Sequence, residues 1–528
     1  MADFDGIVIG AGHNGLTAAA YLAGAGLRIC VLERNSWIGG GCTTEEPILP
    51  GFRCNLHSNF YIGFRDAPLT RDLRLERYGF STIEPPVQHA ITMRDGTALV
   101  LHRAIEKSCA SLARFSKRDA ATFRDLHQLY AVKMRPFFVA LMYNQPLARE
   151  KLSELLSGPE GREFLAYAGR DFFQTVDSRF EDRRVRTLLK VLMHAGTGEN
   201  EPGTGLALPM IISALLDTAL PVGGSASLPA ALVRVIEGNG GVVRSSAEVR
   251  EICSEKGRAT GVRLADGARI DAAKFVASAI DAPGTLRLAG EEHFPAAVRH
   301  KLAHWHWGNH SLCTLHLALD APPAYTAARF DPDLASAWNI VFGAEDDDEV
   351  AGSFEQCRRG AFPDHPLGNG ACNTIIDPSY APAGKHVAFW WPFAPYALQD
   401  GPEGWQRRRA EYAERLLAVW QSYAPNLRGD TVLGSYLYTP RDIPRHIANM
   451  VQGAVRMGAF VPSQLGINRP HPLLAGYRAP LEGLYLCGSS NHGGGANGAP
   501  GYNAANVIAE DLRLARFWTP VPPPEWRG

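Results

Sequence analysis

Apolar residues come along this chain in short runs and helical spacings whose character changes at a few points. Phe4 to Ile9 is an apolar run with β-branched residues and predicts a buried strand. Leu16, Ala19, Ala20 and Leu22 then fall at helical spacing, and Leu27 to Leu32 predicts a second strand. From Asp66 to about Leu220 this alternation is lost. Short strands are expected at Ala90 to Met93 and Ala98 to Leu101, about the turn Arg94-Asp95-Gly96. A helix is expected from Asp119, with Phe123, Leu126 and Tyr130 on one face. Arg135 to Tyr143 and Leu206 to Leu220 are apolar stretches, the second broken by Pro209. Each reads either as core packing or as the wall or mouth of an apolar channel.

At Pro221 the first pattern returns. Leu228, Leu232, Val235 and Ile236 predict an amphipathic helix, followed by strands near Val242, Val249 and Val262 and from Ile270 to Ser278. Between Ala296 and about Gly453, strands are expected at Leu312 to Leu319 and His386 to Trp390, and a helix at Tyr412 to Tyr423. Glu345 to Glu349 reads as a solvated acidic loop. A last strand, ending at Cys487, leads into a glycine-rich loop and a helix from about Gly501 to Leu514. The tail from Pro520 reads as irregular.

The turn between the first strand and helix is Gly10-Ala11-Gly12-His13-Asn14-Gly15, and the second strand ends on Glu33. Strand, GxGxxG turn, helix, strand and acid in this order predict dinucleotide binding. Gly10 makes the tight turn, Gly12 lets a pyrophosphate approach the backbone, and Gly15 lets helix pack on strand. The helix N-terminus offers free N–H groups to the phosphates, where His13 and Asn14 also stand, and Glu33 can accept hydrogen bonds from a ribose diol. Glu33 argues against a 2′-phosphate at this site, and Arg34 weakens that argument. A second glycine cluster, Gly39-Gly40-Gly41, follows closely.

Composition narrows the class. A length of 528 residues makes two domains the expectation, and 46% hydrophobic with 20% charged residues describes a globular protein. The formal net charge of −1 gives no sign of a nucleic-acid partner. Nine scattered cysteines without CxxC exclude a dithiol motif or zinc ribbon and fit a reducing compartment. The first strand begins within a few residues of Met1, leaving no room for a signal peptide, and no spanning helix is expected. A cytoplasmic location follows, with peripheral membrane contact left open; nothing fixes the oligomeric state. Histidine and tryptophan crowd at His304-Trp305-His306-Trp307, His310, His316, Trp338 and Trp390-Trp391. His304 and His306 have poor ligand spacing, so no metal site is expected. The aromatic groups read as pocket lining for a flat or apolar substrate, or as sheet packing.

The chain resembles the phytoene-desaturase-like branch of FAD oxidoreductases, and within it the pyridine nucleotide-disulfide oxidoreductase domain-containing protein 2 group. The residues carrying the likeness are the N-terminal GxGxxG, Gly384-Lys385-His386 after Asp377-Pro378-Ser379, Tyr477-Arg478-Ala479-Pro480, and Cys487-Gly488-Ser489 before His492-Gly493-Gly494-Gly495. It implies an α/β fold: a glutathione-reductase-like (Rossmann-type) FAD-binding domain from residues 1–65, 221–295 and 454–515, and a discontinuous α+β substrate-binding domain from 66–220 and 296–453, with 516–528 as a tail. FAD would be held by Gly10, Gly12, His13, Asn14, Gly15, Glu33, Arg34, Gly40, Gly41, Val249, Gly488, Gly495 and Asn497. Relatives often carry Arg after the glycine doublet where this chain has Gly41. His492 and His57 are the candidates beside the flavin ring, with His310 and Tyr502 behind them. The implied activity is hydride removal from an apolar or aromatic substrate to flavin N5, with electrons passed to oxygen, a quinone or another acceptor. Flavin-dependent isomerisation or saturation is the alternative; amine oxidation and a non-redox lipid escort stand further back.

Overall fold

The computed structural model describes residues 2–193, 199–401, 403–495 and 497–526. β1 (Phe4–Ile9) lies in the interior of a seven-stranded sheet. Its successive side chains point to opposite faces, and both faces are covered. Val8 packs with Leu16, Ala19, Val31 and Leu232, while Ile7 and Ile9 pack with Leu32, Val276, Leu286 and Val298. A continuous apolar run, rather than an alternating one, is what such a doubly covered parallel strand requires.

Helix α1 (His13–Gly24) and β2 (Ile29–Leu32) follow as expected. Helix α2 (Ser227–Gly238) leads to β3 (Val242–Arg244), β4 (Val249–Glu255), β5 (Arg258–Leu264) and β6 (Arg269–Ser278). β7 (Leu484–Leu486) precedes α3 (Ala499–Asp511). The strand order is β3-β2-β1-β6-β5-β4, with β7 also on β6. β6 is long enough to serve two partners on one edge. Its first half pairs antiparallel with β5, Asp271 opposite Gly261, and its second half parallel with β7, Ser278 opposite Leu486.

A second sheet of eight strands is almost wholly antiparallel. It runs through Val432–Tyr438, Thr314–Leu319, His386–Ala394, Gly368–Cys372, Asn339–Phe342, Val87–Thr92 and Ala98–His102, with Ser311–Leu312 as the eighth strand, paired with His386–Ala394. Asn339–Phe342 and Val87–Thr92 form its parallel pair. A three-stranded sheet joins Tyr61–Ile62, Thr218–Pro221 and Thr82–Ile83 between the two. The helix at Tyr412 extends back to Gly404, and Leu416 and Trp420 are buried on it.

Two expectations change. Glu345 to Glu349 is not simply a solvated loop: Asp346 caps a helix, Asp347–Arg358, by accepting from the Glu349 N–H at 3.0 Å. Carboxylates collect there because they meet the positive end of the helix dipole, and buried Lys190 adds an ion pair to Asp347 at 2.8 Å. The tail is irregular but held. Trp518 packs edge-on to Tyr21 at 4.9 Å and donates to Asn506 Oδ1 at 2.9 Å, and the Tyr502 hydroxyl accepts from the Val521 N–H.

Trp518→Ala should therefore cost about 3 kcal/mol and lower the thermal denaturation midpoint. Loss of the more exposed Phe517 ring should cost less. Equal, negligible shifts for the two would mean that the tail does not clamp α1.

Candidate active site

The glycines of the first turn are required by backbone contacts. Gly10 has φ +94°, a left-handed conformation that a side chain would strain. A Cβ on Gly15 would stand 2.2 Å from the Gly10 carbonyl oxygen, so only glycine lets α1 start there. The second glycine cluster folds back onto this turn. The Gly39 N–H donates to Ala11 O at 2.8 Å, and a Cβ on Gly40 would stand 3.1 Å from the Gly12 Cα. Gly41 faces Met450, whose Cε would lie 2.9 Å from an added Cβ; an arginine could not sit there without moving it. No side chain caps α1, so its first N–H groups remain available to an anionic ligand.

Glu33 is buried at the end of β2 and accepts from the Ala11 N–H at 3.0 Å and the Asn35 N–H at 2.9 Å. Burial pushes its carboxyl above the usual range, against those two hydrogen bonds. The C-terminal glycine loop closes over the same turn. His13 Nε2 donates to Gly495 O at 2.7 Å, and Asn14 Nδ2 donates to Ser489 Oγ at 2.8 Å. Ser489 is held in turn by buried Arg469, whose guanidinium donates to the carbonyls of Ser489, Ala459, Gln464 and Arg456.

These loops line one end of a cavity of about 1460 Å³. Gly10, Gly12, His13, Asn14, Gly15, Glu33, Arg34, Gly40, Gly41, Val249, Gly495 and Asn497 all reach it. Gly488 does not; a Cβ there would meet the Ile280 carbonyl oxygen at 2.5 Å, so this glycine serves backbone packing. The far end is apolar, with Phe138, Phe164, Leu206, Met210, Leu312 and Trp391 in its wall. Trp390, by contrast, stacks on Phe342 at 4.5 Å within the sheet.

His492 and His57 both line the cavity between these ends. His492 Nε2 lies 2.7 Å from Leu141 O. A carbonyl can only accept, so Nε2 carries the proton and Nδ1 of the neutral ring is a lone-pair acceptor. Burial holds His492 below the ordinary histidine range. His57 Nε2 is 3.1 Å from the Tyr438 hydroxyl, and burial pushes its pKa down to about 3. His310 and Tyr502 do not line this cavity. His310 lines a separate cavity of about 60 Å³, 3.9 Å from Glu199 and edge-on to Phe354 and Phe393. Tyr502 packs between Tyr21 and Tyr143 in the core and does not line the large cavity. Sequence reasoning missed Arg469 and Arg456, two among 53 basic residues that nothing in the local pattern distinguishes.

The Rossmann-type turn, continuous with an apolar chamber, places the chain in the dinucleotide-binding α/β class. Residues 8–74 match the family model of the NAD(P)-binding Rossmann-like domain. A limonene dehydrogenase component of Castellaniella defragrans is 34% identical over 98% of this chain and 96% of its own length. Pyridine nucleotide-disulfide oxidoreductase domain-containing protein 2 of Rattus norvegicus is 27% identical, covering 97% and 94%. The neurosporene-forming phytoene desaturase of Cereibacter sphaeroides is 26% identical, covering 96% and 93%. Among solved structures, cyclohexylamine oxidase from Brevibacterium oxydans shares the fold with a TM-score of 0.55 at 16% identity, covering 97% of this chain and all (100%) of that one. The chain belongs to the phytoene desaturase-like family of FAD-dependent oxidoreductases. No helix among the described residues is long and apolar enough to cross a membrane.

Burial also pushes His316 down to about 3, as it does His57. Below the ordinary value of 6.5 the unfolded chain binds protons on these imidazoles that the folded chain refuses until about pH 3. Stability should therefore fall as pH is lowered through that window. His316→Phe should flatten the slope of thermal midpoint against pH; an unaltered slope would show that His316 titrates normally.

Proposed function

We propose that this chain binds FAD in the cradle formed by the two glycine loops and removes hydride from an apolar or aromatic organic molecule held in the adjoining chamber. The observation that carries this reading is the continuity of the two spaces in one cavity of about 1460 Å³, larger than the roughly 300–1,000 Å³ of an ordinary small-molecule pocket. The donor set fits the cofactor. The uncapped α1 N-terminus faces a pyrophosphate, Glu33 has lone pairs left for ribose hydroxyls, and Gly12 and Gly40 leave open the space that a Cβ on either would fill. Val249 lines the same cavity and would suit an adenine. Residues 1–65, 221–295 and 454–515 are assigned to cofactor binding and the remaining segments up to 453 to the substrate.

Bound FAD supplies a hydride acceptor at N5. The residues of the chain orient the substrate, exclude water and receive the proton that leaves with desaturation. His492 is placed for that last task, because Nε2 is fixed on Leu141 O and Nδ1 is left free to accept. His57, fixed by Tyr438, stays neutral and positions the other side of the site. Electrons then pass to oxygen, a quinone or another acceptor. Limonene dehydrogenase and phytoene desaturase are both named for hydrocarbons, which supports an apolar substrate.

The purified protein should show a flavin band near roughly 450 nm that one apolar or aromatic compound bleaches without oxygen. A band that no compound bleaches, with conversion only after dithionite reduction, would replace oxidation by isomerisation or saturation. Gly12→Ala should keep the fold, since its Cβ would lie 3.9 Å from the nearest atom, Gly40 Cα, yet lose the band because it fills the cradle. His492→Ala should slow flavin reduction by substrate about a hundredfold; an unchanged rate would remove His492 from the chemistry.

A further inference from the structure

The cavity wall carries a few cations among its apolar side chains: Arg135 is paired with Asp66 and Asp217, Arg149 is exposed, and Arg456 is the half-buried one with no salt bridge among the described residues. Arg456 lies where the large cavity and the small one holding His310 come closest, and it lines both. It is half-buried. Its guanidinium lies 5.2 Å from the Phe460 ring centroid, a ring that also takes Arg469 at 4.6 Å. Among the described residues the Arg456 guanidinium makes no hydrogen bond and no ion pair; only its backbone carbonyl is used, by Arg469. Glu199 is the nearest carboxylate in its electrostatic surroundings. That carboxylate is already engaged: Asn309 donates to it through its backbone N–H at 2.8 Å and through Nδ2 at 2.9 Å, and His310 stands at 3.9 Å.

Arg469 makes the contrast. It is buried deeper, but its guanidinium is satisfied by carbonyls on every side. It therefore has a structural reason to be there, whereas Arg456 has, among the described residues, only the Phe460 ring and the field of Glu199. No nitrogen of the Arg456 guanidinium is sealed inside the protein without a partner, so its five donors open onto the cavity, where a ligand can reach them. Burial pulls the Arg456 pKa down to about 10, so the folded chain holds this cation against its preference. An anion arriving through the cavity would relieve that cost, and a carboxylate matches the planar fork.

We propose that Arg456 is the specificity anchor of the chamber and that the substrate is an apolar molecule carrying a carboxylate, which Arg456 binds while the apolar body lies against the Phe138, Leu206 and Met210 side. This rests on the functional reading above for the word substrate, but the binding site stands on its own residues. Arg456 touches the ligand through N–H···O contacts and takes no part in bond breaking.

The test compares decanoate with decanol, equal in chain length and different in charge, by calorimetry on the full-length protein as purified, with its visible spectrum recorded alongside. Wild type should bind decanoate more tightly than decanol. Arg456→Met should weaken decanoate binding about tenfold or more, leave decanol within about twofold, and retain the flavin band. Arg456→Lys should keep part of the preference, because it keeps the charge and loses the fork; it also decides the matter if the methionine variant fails to fold. Equal affinity of the two ligands for wild type would overturn the proposal. So would a preference that survives in Arg456→Met, or loss of flavin from that variant, which would assign Arg456 to the cofactor. A colourless wild type that still prefers decanoate would sink the flavin reading and leave this site standing.

Discussion

The close approach of α1 to α3 is the contact on which the rest of the molecule depends. A Cβ on Gly501 would stand 2.1 Å from the Asn14 carbonyl oxygen, and Ala504 and Ala505 are fully buried beyond it. Only small residues let two helices run so near. The approach joins the first residues of the chain to nearly the last. It sets Ser489 within hydrogen-bond reach of Asn14 and the Gly495 carbonyl within reach of His13. Without it there would be a Rossmann turn but no lid of glycine backbone over it, and no shared cavity.

The cavity brings together two kinds of lining: glycine backbone from the two loops, and apolar side chains such as Phe138, Leu206 and Met210. His492 stands at a junction of segments far apart in the chain, tied to Leu141 O while its own backbone carbonyl accepts from the Tyr477 hydroxyl. Arg469 braces the same junction by linking the carbonyls of residues 456 to 464 with that of Ser489. Rigidity around this junction thus comes from backbone acceptors gathered on one buried cation, a strong type of hydrogen bond in a low-dielectric surrounding.

How legible each part was depended on the range of the interaction that fixed it. The turn at Gly10 to Gly15, β1, α1, β2 and Glu33 could be read because each signal is local, a period or a glycine with its own backbone requirement. The run Glu345 to Glu349 misled because a cap looks like a loop until the following helix is seen; Asp346 accepting from the Glu349 N–H supplies that helix start. His310 and Tyr502 stand as candidates behind His492 and His57, and no local pattern shows which neighbours they meet. The fold instead turns His310 to Glu199 and Tyr502 to Tyr21 and Tyr143. The Gly488 position was right in the chain and different in role, packing against the Ile280 carbonyl oxygen instead of facing the cavity.

By itself the sequence determined that this chain carries a Rossmann turn, two further segments of the same α/β pattern, and a family likeness that extends over nearly its whole length. Those properties are written in neighbouring residues, because strand, helix and turn depend on periods of two, on 3.6-residue spacing and on backbone freedom at single glycines. Only the tertiary structure decided which side chains share a cavity. Leu141 meets His492, Tyr438 meets His57, and Arg456 meets the Phe460 ring while Glu199 is taken by Asn309, through contacts most of which join residues far apart in the chain. Such pairings leave no period in the sequence, since the partner is chosen by how helices and sheets pack, and they are what separate a dinucleotide fold from an active site.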